Sequence, residues 1–361
     1  MIELPDILTT MWFLSSIGFI VSFIITLIII ETNPWHGRFT ADTNDGPQKI
    51  HHNVTSRIGG VAIFASMMIL GFLGLFNSSP FFLILMCASI PVFLGGLIED
   101  LTGRVSPKVR FSLAIISGAC FVYASGFTIT SVSFAPMDTL LAMPIIAIGF
   151  TIFTITLFAN AVNIIDGLNG LSVGTCILIA GAIAVVAGGV GDIQLMTISM
   201  LFVAVISGLG LFNFPKGKIF VGDGGAYFMG AFIAFMLIML PERNETVSPF
   251  VSLLLVIYPS YEMVRSTIRR LIAKDTKALQ PDQKHLHSLV YQYYVRRDKI
   301  GLLNLNAYAG LTMLIFPLFT SLWVFVSTSS AEYGLVGILI FIAGYELSLY
   351  WILRASSKRS F

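Results

Sequence analysis

The sequence predicts an all-α, polytopic transmembrane helical bundle of about 11 helices, one integral membrane domain over residues 1–361, with the N-terminus outside and the C-terminus cytoplasmic. Three observations predict it. Of the 361 residues, 56% are hydrophobic and only 11% are charged, where a soluble domain carries about 25% charged residues. Apolar runs recur that are long enough to cross a ~30 Å hydrocarbon core as helices. The basic residues segregate to one set of connecting loops. The alternation that marks an outer-membrane barrel is absent.

The first apolar run, 11–30, follows MIELPDILTT, which is acidic and lacks a basic n-region. It reads as a retained helix rather than a cleaved leader. The loop 31–57 separates it from runs at 58–76 and 81–98, themselves parted by NSSP. The loop 99–110 leads to a run at 109–125, and 140–159 follows GFTITSVSFAPMD. That stretch, 126–138, alternates Thr and Ser with apolar residues and suits a small β-hairpin. Runs at 171–189 and 194–213 follow the loop 160–172, and 225–240 and 249–266 follow the loop 214–224. The long loop 263–301 precedes the last two, 302–327 and 334–353. An odd number of crossings puts the termini on opposite sides. The loops 31–57, 99–110, 160–172, 214–224 and 263–301, with the C-terminal tail, hold 20 of the 21 Lys and Arg residues; Arg243 is the exception. The positive-inside rule places those loops in the cytoplasm. Cys87, Cys120 and Cys176 fall inside apolar runs, without metal-ligand spacing, and read as packing residues.

The polar residues that can carry chemistry gather at the cytoplasmic edge. GGLIEDLTGRVSPKVRF offers Glu99 and Asp100, and NAVNIIDGLNGL offers Asn160, Asn163, Asp166 and Asn169. FVGDGGAYFMG sets Asp223 among glycines, three residues after Phe220. Arg265, Arg269 and Arg270 precede QPDQKHLHSLVY with His285 and His287, and PQKIHHNVTSRIGG supplies Lys49, His51, His52 and Arg57.

Taken singly, each has a structural reading. Asp223 and Asp166 can cap the helices that follow them. Glu99 and Asp100 can be interface residues, the arginines anchors for anionic lipid, and the histidines ordinary loop residues. Together they say more. Acids alone repel one another and any phosphate. Acids gathered with Lys, Arg and His suit a divalent metal and a phosphorylated substrate, because Mg2+ is held by a few carboxylates plus phosphate oxygens. Glycines let backbone approach a phosphate, and helix N-termini aim N–H donors at it.

These motifs resemble those of the polyprenyl-phosphate N-acetylhexosamine-1-phosphate transferases, over about residues 45–292. LIEDLTGRVSPKVR is similar to that family's Asp-Asp loop, NAVNIIDGLNGL to its Asn-rich Asp-Gly motif, FVGDGG to its Gly-Asp-x-Gly turn, HLHS to its histidine motif, and KIH with RIGG to its N-terminal loop. The resemblance implies a Mg-dependent enzyme (Mn2+ as an alternative ion). It would move a sugar-1-phosphate from a UDP-N-acetylhexosamine-type sugar nucleotide, or a 6-deoxy relative, to polyprenyl (undecaprenyl) phosphate and release UMP. The setting implied is a bacterial inner membrane at the start of envelope polysaccharide synthesis. No nucleic acid is implied, and a homodimer is compatible. Asp223 would bind the metal and Phe220 stack on uracil. Glu99 and Asp100 would sit near the attacking phosphate, with Asp166 among the catalytic acids. Asn163 and Asn169 would line the nucleotide pocket beside Asp166, and His285 and His287 would contact the diphosphate. Lys49, His51, Arg57, Arg265 and Arg269 would bind substrate charge. Three positions depart from the family pattern: Glu99 and Asn169 stand where it has Asp, and Ser288 where it has His. With Asp100 beside the nucleophile, Asp100→Asn is expected to leave UDP-sugar binding intact. A secondary transporter of a small anionic solute is the rival. Transporters favour midplane charges and internal repeats, neither of which is visible here.

Overall fold

The computed structural model describes residues 4–40, 55–272, 284–296 and 304–357. The order is α1 (Leu4–Glu31), α2 (Asn33–Thr40), α3 (Gly59–Leu70), a π-helical turn (Gly71–Leu75), α4 (Phe76–Ser78), α5 (Pro80–Thr102), α6 (Pro107–Ser125), α7 (Ala135–Leu141) and α8 (Pro144–Ile165). Then come α9 (Leu171–Gly189), α10 (Ile193–Asn213), α11 (Gly222–Arg243), α12 (Pro249–Ile272), α13 (Leu286–Val295), α14 (Leu305–Met313), α15 (Ile315–Ser327) and α16 (Ala331–Ser357). This is a polytopic helical membrane protein. Among the described residues ten helical stretches are long and apolar enough to cross a bilayer, one fewer than the eleven expected. The difference is α12. Its 24 residues suit a crossing in length, but Glu262, Arg265, Arg269 and Arg270 dilute its second half.

The bundle is built around α11, in which every residue from Gly224 to Leu240 is buried. It packs against α5, α8, α3 and α9. Lipid gives helices no hydrophobic reason to associate, so close contact must hold them. Gly230 provides one: a Cβ there would lie 2.7 Å from Ala159 Cα of α8. Stacked rings provide others, Phe121 on Phe235 at 4.6 Å and Phe202 on Phe232 at 4.8 Å. Large apolar side chains such as Phe13, Ile145, Leu211 and Leu347 stay exposed on the outer surface, where lipid solvates them.

Prolines set two local breaks. Pro91 cannot continue the ladder of α5, and the next N–H, of Val92, donates to Ser117 Oγ of α6 at 3.0 Å. Pro317 has no N–H for the Met313 carbonyl, and α14 ends at Met313. The run read from sequence over 302–327 is one crossing, Leu305–Ser327, with a local break at Leu314.

The two ends of the bundle differ. At one, Arg243 grips Asp192 through two bonds of 2.7 and 2.9 Å and lies over the Phe81 ring. The segment 126–138 lies at this end too, and it is not a hairpin: among the described residues it forms no strand. The Asp138 carboxylate accepts from the Val132 N–H at 2.7 Å and the Ser131 hydroxyl at 3.0 Å, and Thr130 bonds Glu242. Side chains satisfy this backbone in place of a partner strand. At the opposite end the starts of α3, α6, α9 and α11 meet the ends of α5, α8 and α10, and every motif singled out above that lies within the described residues is found there.

Candidate active site

The turn before α11 is the foundation. Gly222 has φ +74°, and a Cβ there would sit 1.7 Å from the Arg57 carbonyl oxygen, so only glycine fits. Backbone bonds join this turn to the stretch before α3: Phe220 N–H donates to Ser56 O at 2.9 Å, Gly59 N–H to Phe220 O at 3.0 Å and Gly60 N–H to Val221 O at 2.8 Å. A Cβ on Gly60 would lie 2.3 Å from Gly225 N, and one on Gly96 of α5 would lie 2.5 Å from Gly224 Cα. Three chain segments thus meet backbone to backbone. The RIGG and FVGDGG motifs are two halves of one joint.

Asp100, at the end of α5, closes that joint. Its Oδ1 accepts from Asp223 N–H at 2.9 Å and its Oδ2 from Gly224 N–H at 2.8 Å. Asp223 had a capping reading from sequence. The cap of α11 is instead Asp100, reaching across from another helix, where a carboxylate meets the positive end of the helix dipole. Arg57 lies 3.4 Å from Asp100 Oδ1, and the Asp100 side chain is only 1% exposed. Glu99 diverges from its neighbour: its Oε2 accepts from Val105 N–H at 2.7 Å and holds the loop between α5 and α6.

Asp223 itself is left free to face the site. Its Oδ1 accepts from Asn163 Nδ2 at 3.0 Å, and its Oδ2 meets Arg110 of α6. The Arg110 guanidinium also lies over the Tyr227 ring at 5.9 Å, and Tyr227 donates to Asn160 Oδ1 at 3.0 Å. Arg110 Nε is buried without a hydrogen-bond partner, an unused donor beside the Asp223 carboxylate. Sequence reasoning passed over Arg110. The signal available was its place in the same basic loop as Asp100.

Asp166 ends α8, and its Oδ1 accepts from the Ser172 hydroxyl in the first turn of α9. Burial pushes the Asp166 carboxyl up to about 7, against the opposing Ser172 bond. The folded protein then holds a proton there that the unfolded chain has released at about pH 4. The contribution to stability is full below that pH and is lost as pH rises to about 7. Asp166→Asn is expected to flatten the decline in substrate-free thermal midpoint across this window; an unchanged slope would refute it.

The remaining predicted residues divide. Phe220 is half-buried beside the glycine turn. Asn169 is buried: its N–H donates to Asn306 Oδ1 at 2.6 Å and its Nδ2 to Pro215 O at 3.2 Å. It ties the Asp-Gly loop to α14 and to the loop after α10, and Asn213 adds a bond of 2.7 Å from Gly170 N–H. Arg265 joins Glu346 of α16 at 2.7 Å, a strut between helices, and Arg269 reaches Ser266. His285 and His287 both turn to Glu262 of α12, and His287 Nε2 borders Gly167, next to Asp166. Glu262 was also passed over; its signal was a lone acid in an otherwise apolar run. Lys49 and His51 lie outside the described residues.

Among the described residues no group of three or more His, Cys, Asp or Glu side chains forms a metal cage. Mg2+ rarely needs one, being held by one or two carboxylates with substrate phosphates. Asp223 fits that use: its side chain is 20% exposed and already faces a cation, Arg110.

The fold defines a membrane-embedded protein whose charged side chains gather at one end of the bundle. The model of glycosyl transferase family 4 matches residues 82–241. Curated relatives agree. The chain is 29% identical to a probable undecaprenyl-phosphate N-acetylglucosaminyl 1-phosphate transferase of Bacillus subtilis over 276 residues, 75% of each chain. It is 27% identical to an undecaprenyl-phosphate alpha-N-acetylglucosaminyl 1-phosphate transferase of Yersinia pestis, over 72% of each. One from Thermotoga maritima is 28% identical over 66% of this chain and 69% of its own. These matches support the family that the sequence motifs resemble, the polyprenyl-phosphate N-acetylhexosamine-1-phosphate transferases. The transporter reading gains no support from these relatives.

Proposed function

We propose that the protein transfers an N-acetylhexosamine-1-phosphate, or that of a 6-deoxy relative, from a UDP-sugar to undecaprenyl phosphate. UMP is released and a polyprenyl-diphosphate-sugar is left in the membrane. The observation that carries this is the meeting of Asp100, Asp223, Asn163, Arg57 and Arg110, from four separate chain segments, on one glycine joint. The asymmetry of Lys and Arg supports a site on the cytoplasmic face of a bacterial inner membrane. Initiation of an envelope polysaccharide, such as an O-antigen, is the role that fits.

The chemistry asks little of a general base. A lipid phosphate monoester has a second pKa near about 6, so its oxygen is largely ionised at neutral pH. The obstacle is bringing one anion against another. Arg57 and Arg110 supply fixed positive charge where negative charge accumulates on the diphosphate. Asp223, with Asn163 orienting its carboxylate, would hold the divalent cation, which when bound neutralises phosphate oxygens. Asp100 spends its oxygens on backbone N–H groups, so its work is to keep Asp223 in place.

The test is direct. Purified protein with a UDP-N-acetylhexosamine, undecaprenyl phosphate and Mg2+ is expected to yield UMP and a lipid diphosphate sugar in equal amounts. Omitting the lipid or chelating the metal should stop both, and Mn2+ should restore them. Solute uptake without UMP would reject the proposal, and a panel of UDP-sugars would identify the donor.

A further inference from the structure

We propose that Glu262 is a positioning residue that fixes the tautomer and direction of His285 and His287, so that both imidazoles serve the substrate phosphates. This rests on the transfer reaction proposed above, in which those histidines meet the diphosphate.

Glu262 lies in the second half of α12 with its side chain 1% exposed. A buried carboxylate must be paired, and α13 supplies the pairing. His285 Nδ1 stands 3.2 Å from Oε2, and the Leu286 N–H donates to the same oxygen at 3.4 Å. His287 Nδ1 lies 3.6 Å from Oε1, and neither of these two atoms has a hydrogen-bond partner elsewhere. The rings are stacked, 5.3 Å apart at 9°. One acid therefore faces the same nitrogen of two parallel rings.

A carboxylate only accepts, so His285 Nδ1 carries the proton at 3.2 Å, and a small closure of His287 onto Oε1 would set its Nδ1 in the same way. The second nitrogen is then an acceptor in the neutral ring and a donor in the imidazolium. For His287 that nitrogen looks toward the Asp-Gly loop: a Cβ on Gly167 would lie 3.3 Å from Nε2. The other groups around Glu262 are Tyr258 of its own helix and Tyr345 of α16, with the Arg265–Glu346 pair beyond. Tyrosines stay neutral near pH 7, so the local charge is set by one acid and two imidazoles. Glu262 balances one protonated ring. A second protonated ring lacks an anion until a phosphate arrives, which makes the pair selective for anionic substrate. Without Glu262 either nitrogen could hold the proton, and the rings would lose their common direction.

The experiment uses the full-length protein in nanodiscs, with UMP release from UDP-N-acetylglucosamine and undecaprenyl phosphate followed between about pH 6 and 9. Glu262→Gln is expected to lower kcat by about 10- to 100-fold, as loss of a group that orients a functional histidine does, and to move the acid limb of the kcat profile. In a His285→Gln, His287→Gln background it should cost less than about threefold more, because residues acting through one another are not additive. Nitrogen NMR of histidine-labelled protein should show both rings as Nδ1–H tautomers or imidazolium in the wild type, and lose that signature in Glu262→Gln. An unmoved pH profile, fully multiplicative effects, or Nε2–H tautomers in the wild type would each overturn the inference. The wild-type spectrum decides even where the variant fails to fold. A wild type that releases no UMP would sink the transfer reading instead, leaving the spectrum to judge Glu262 separately.

Discussion

Asp223→Asn should reduce UMP release by about 10³-fold, the upper range for losing one electrostatic group in a preorganised site. The fold should survive. The Asp223 side chain is 20% exposed, and the amide that replaces it can still accept from Asn163. What disappears is the single negative charge that sets the Arg110 guanidinium and would hold the divalent ion. The measurement is initial rate against Mg2+ concentration, alongside a thermal unfolding curve. Saturating metal should not rescue the variant. Near-normal turnover at any metal concentration would show that the ion is held elsewhere.

Asp100→Ala should fail differently, by damaging the protein first. The carboxylate accepts from two backbone N–H groups and pairs with Arg57, all at a side chain 1% exposed. Its loss leaves two orphaned donors and removes a carboxylate partner of Arg57. Each buried donor left unsatisfied costs about 1–3 kcal/mol, so thermal stability should drop sharply and activity by about 100-fold or more. Asp100→Asn is no safe substitute. An amide offers one accepting oxygen where two N–H groups need acceptors, and its own NH2 would face the second. The variant should therefore bind UDP-sugar weakly, the reverse of what the sequence suggests. Calorimetric titration with UDP-sugar decides. Wild-type affinity in Asp100→Asn would mean that the turn does not depend on this cap.

Much of the site was legible because its chemistry is local in the chain. FVGDGG announces both a tight turn and an acid, since glycines clustered around an acid before an apolar run suit a positive φ and close backbone approach. Asn163 and Asp166 stand three residues apart at the end of α8, and the structure does bring Asn163 onto Asp223. Partnerships across the fold were not legible. Arg265 looked like a clamp for substrate, yet Glu346, 81 positions away, takes it. Asn169 looked like a pocket residue, yet it binds the loops together through Asn306 and Pro215. Glu262 stood out only as a lone acid; its role was not legible because its partners, His285 and His287, lie on another element.

What the sequence determined by itself is the bundle and the end at which it works. Bilayer thickness dictates the length of apolar run, and the cost of burying charge drives acids and bases to the edges. Both forces act on composition along the chain, so they can be read there. Tertiary structure decided which carboxylate caps a helix and which faces the ligand. Asp100 and Asp223 are the same residue type beside similar glycines. Only the approach of α5 to the first turn of α11, with glycine on both sides, gives one to the backbone and leaves the other for chemistry.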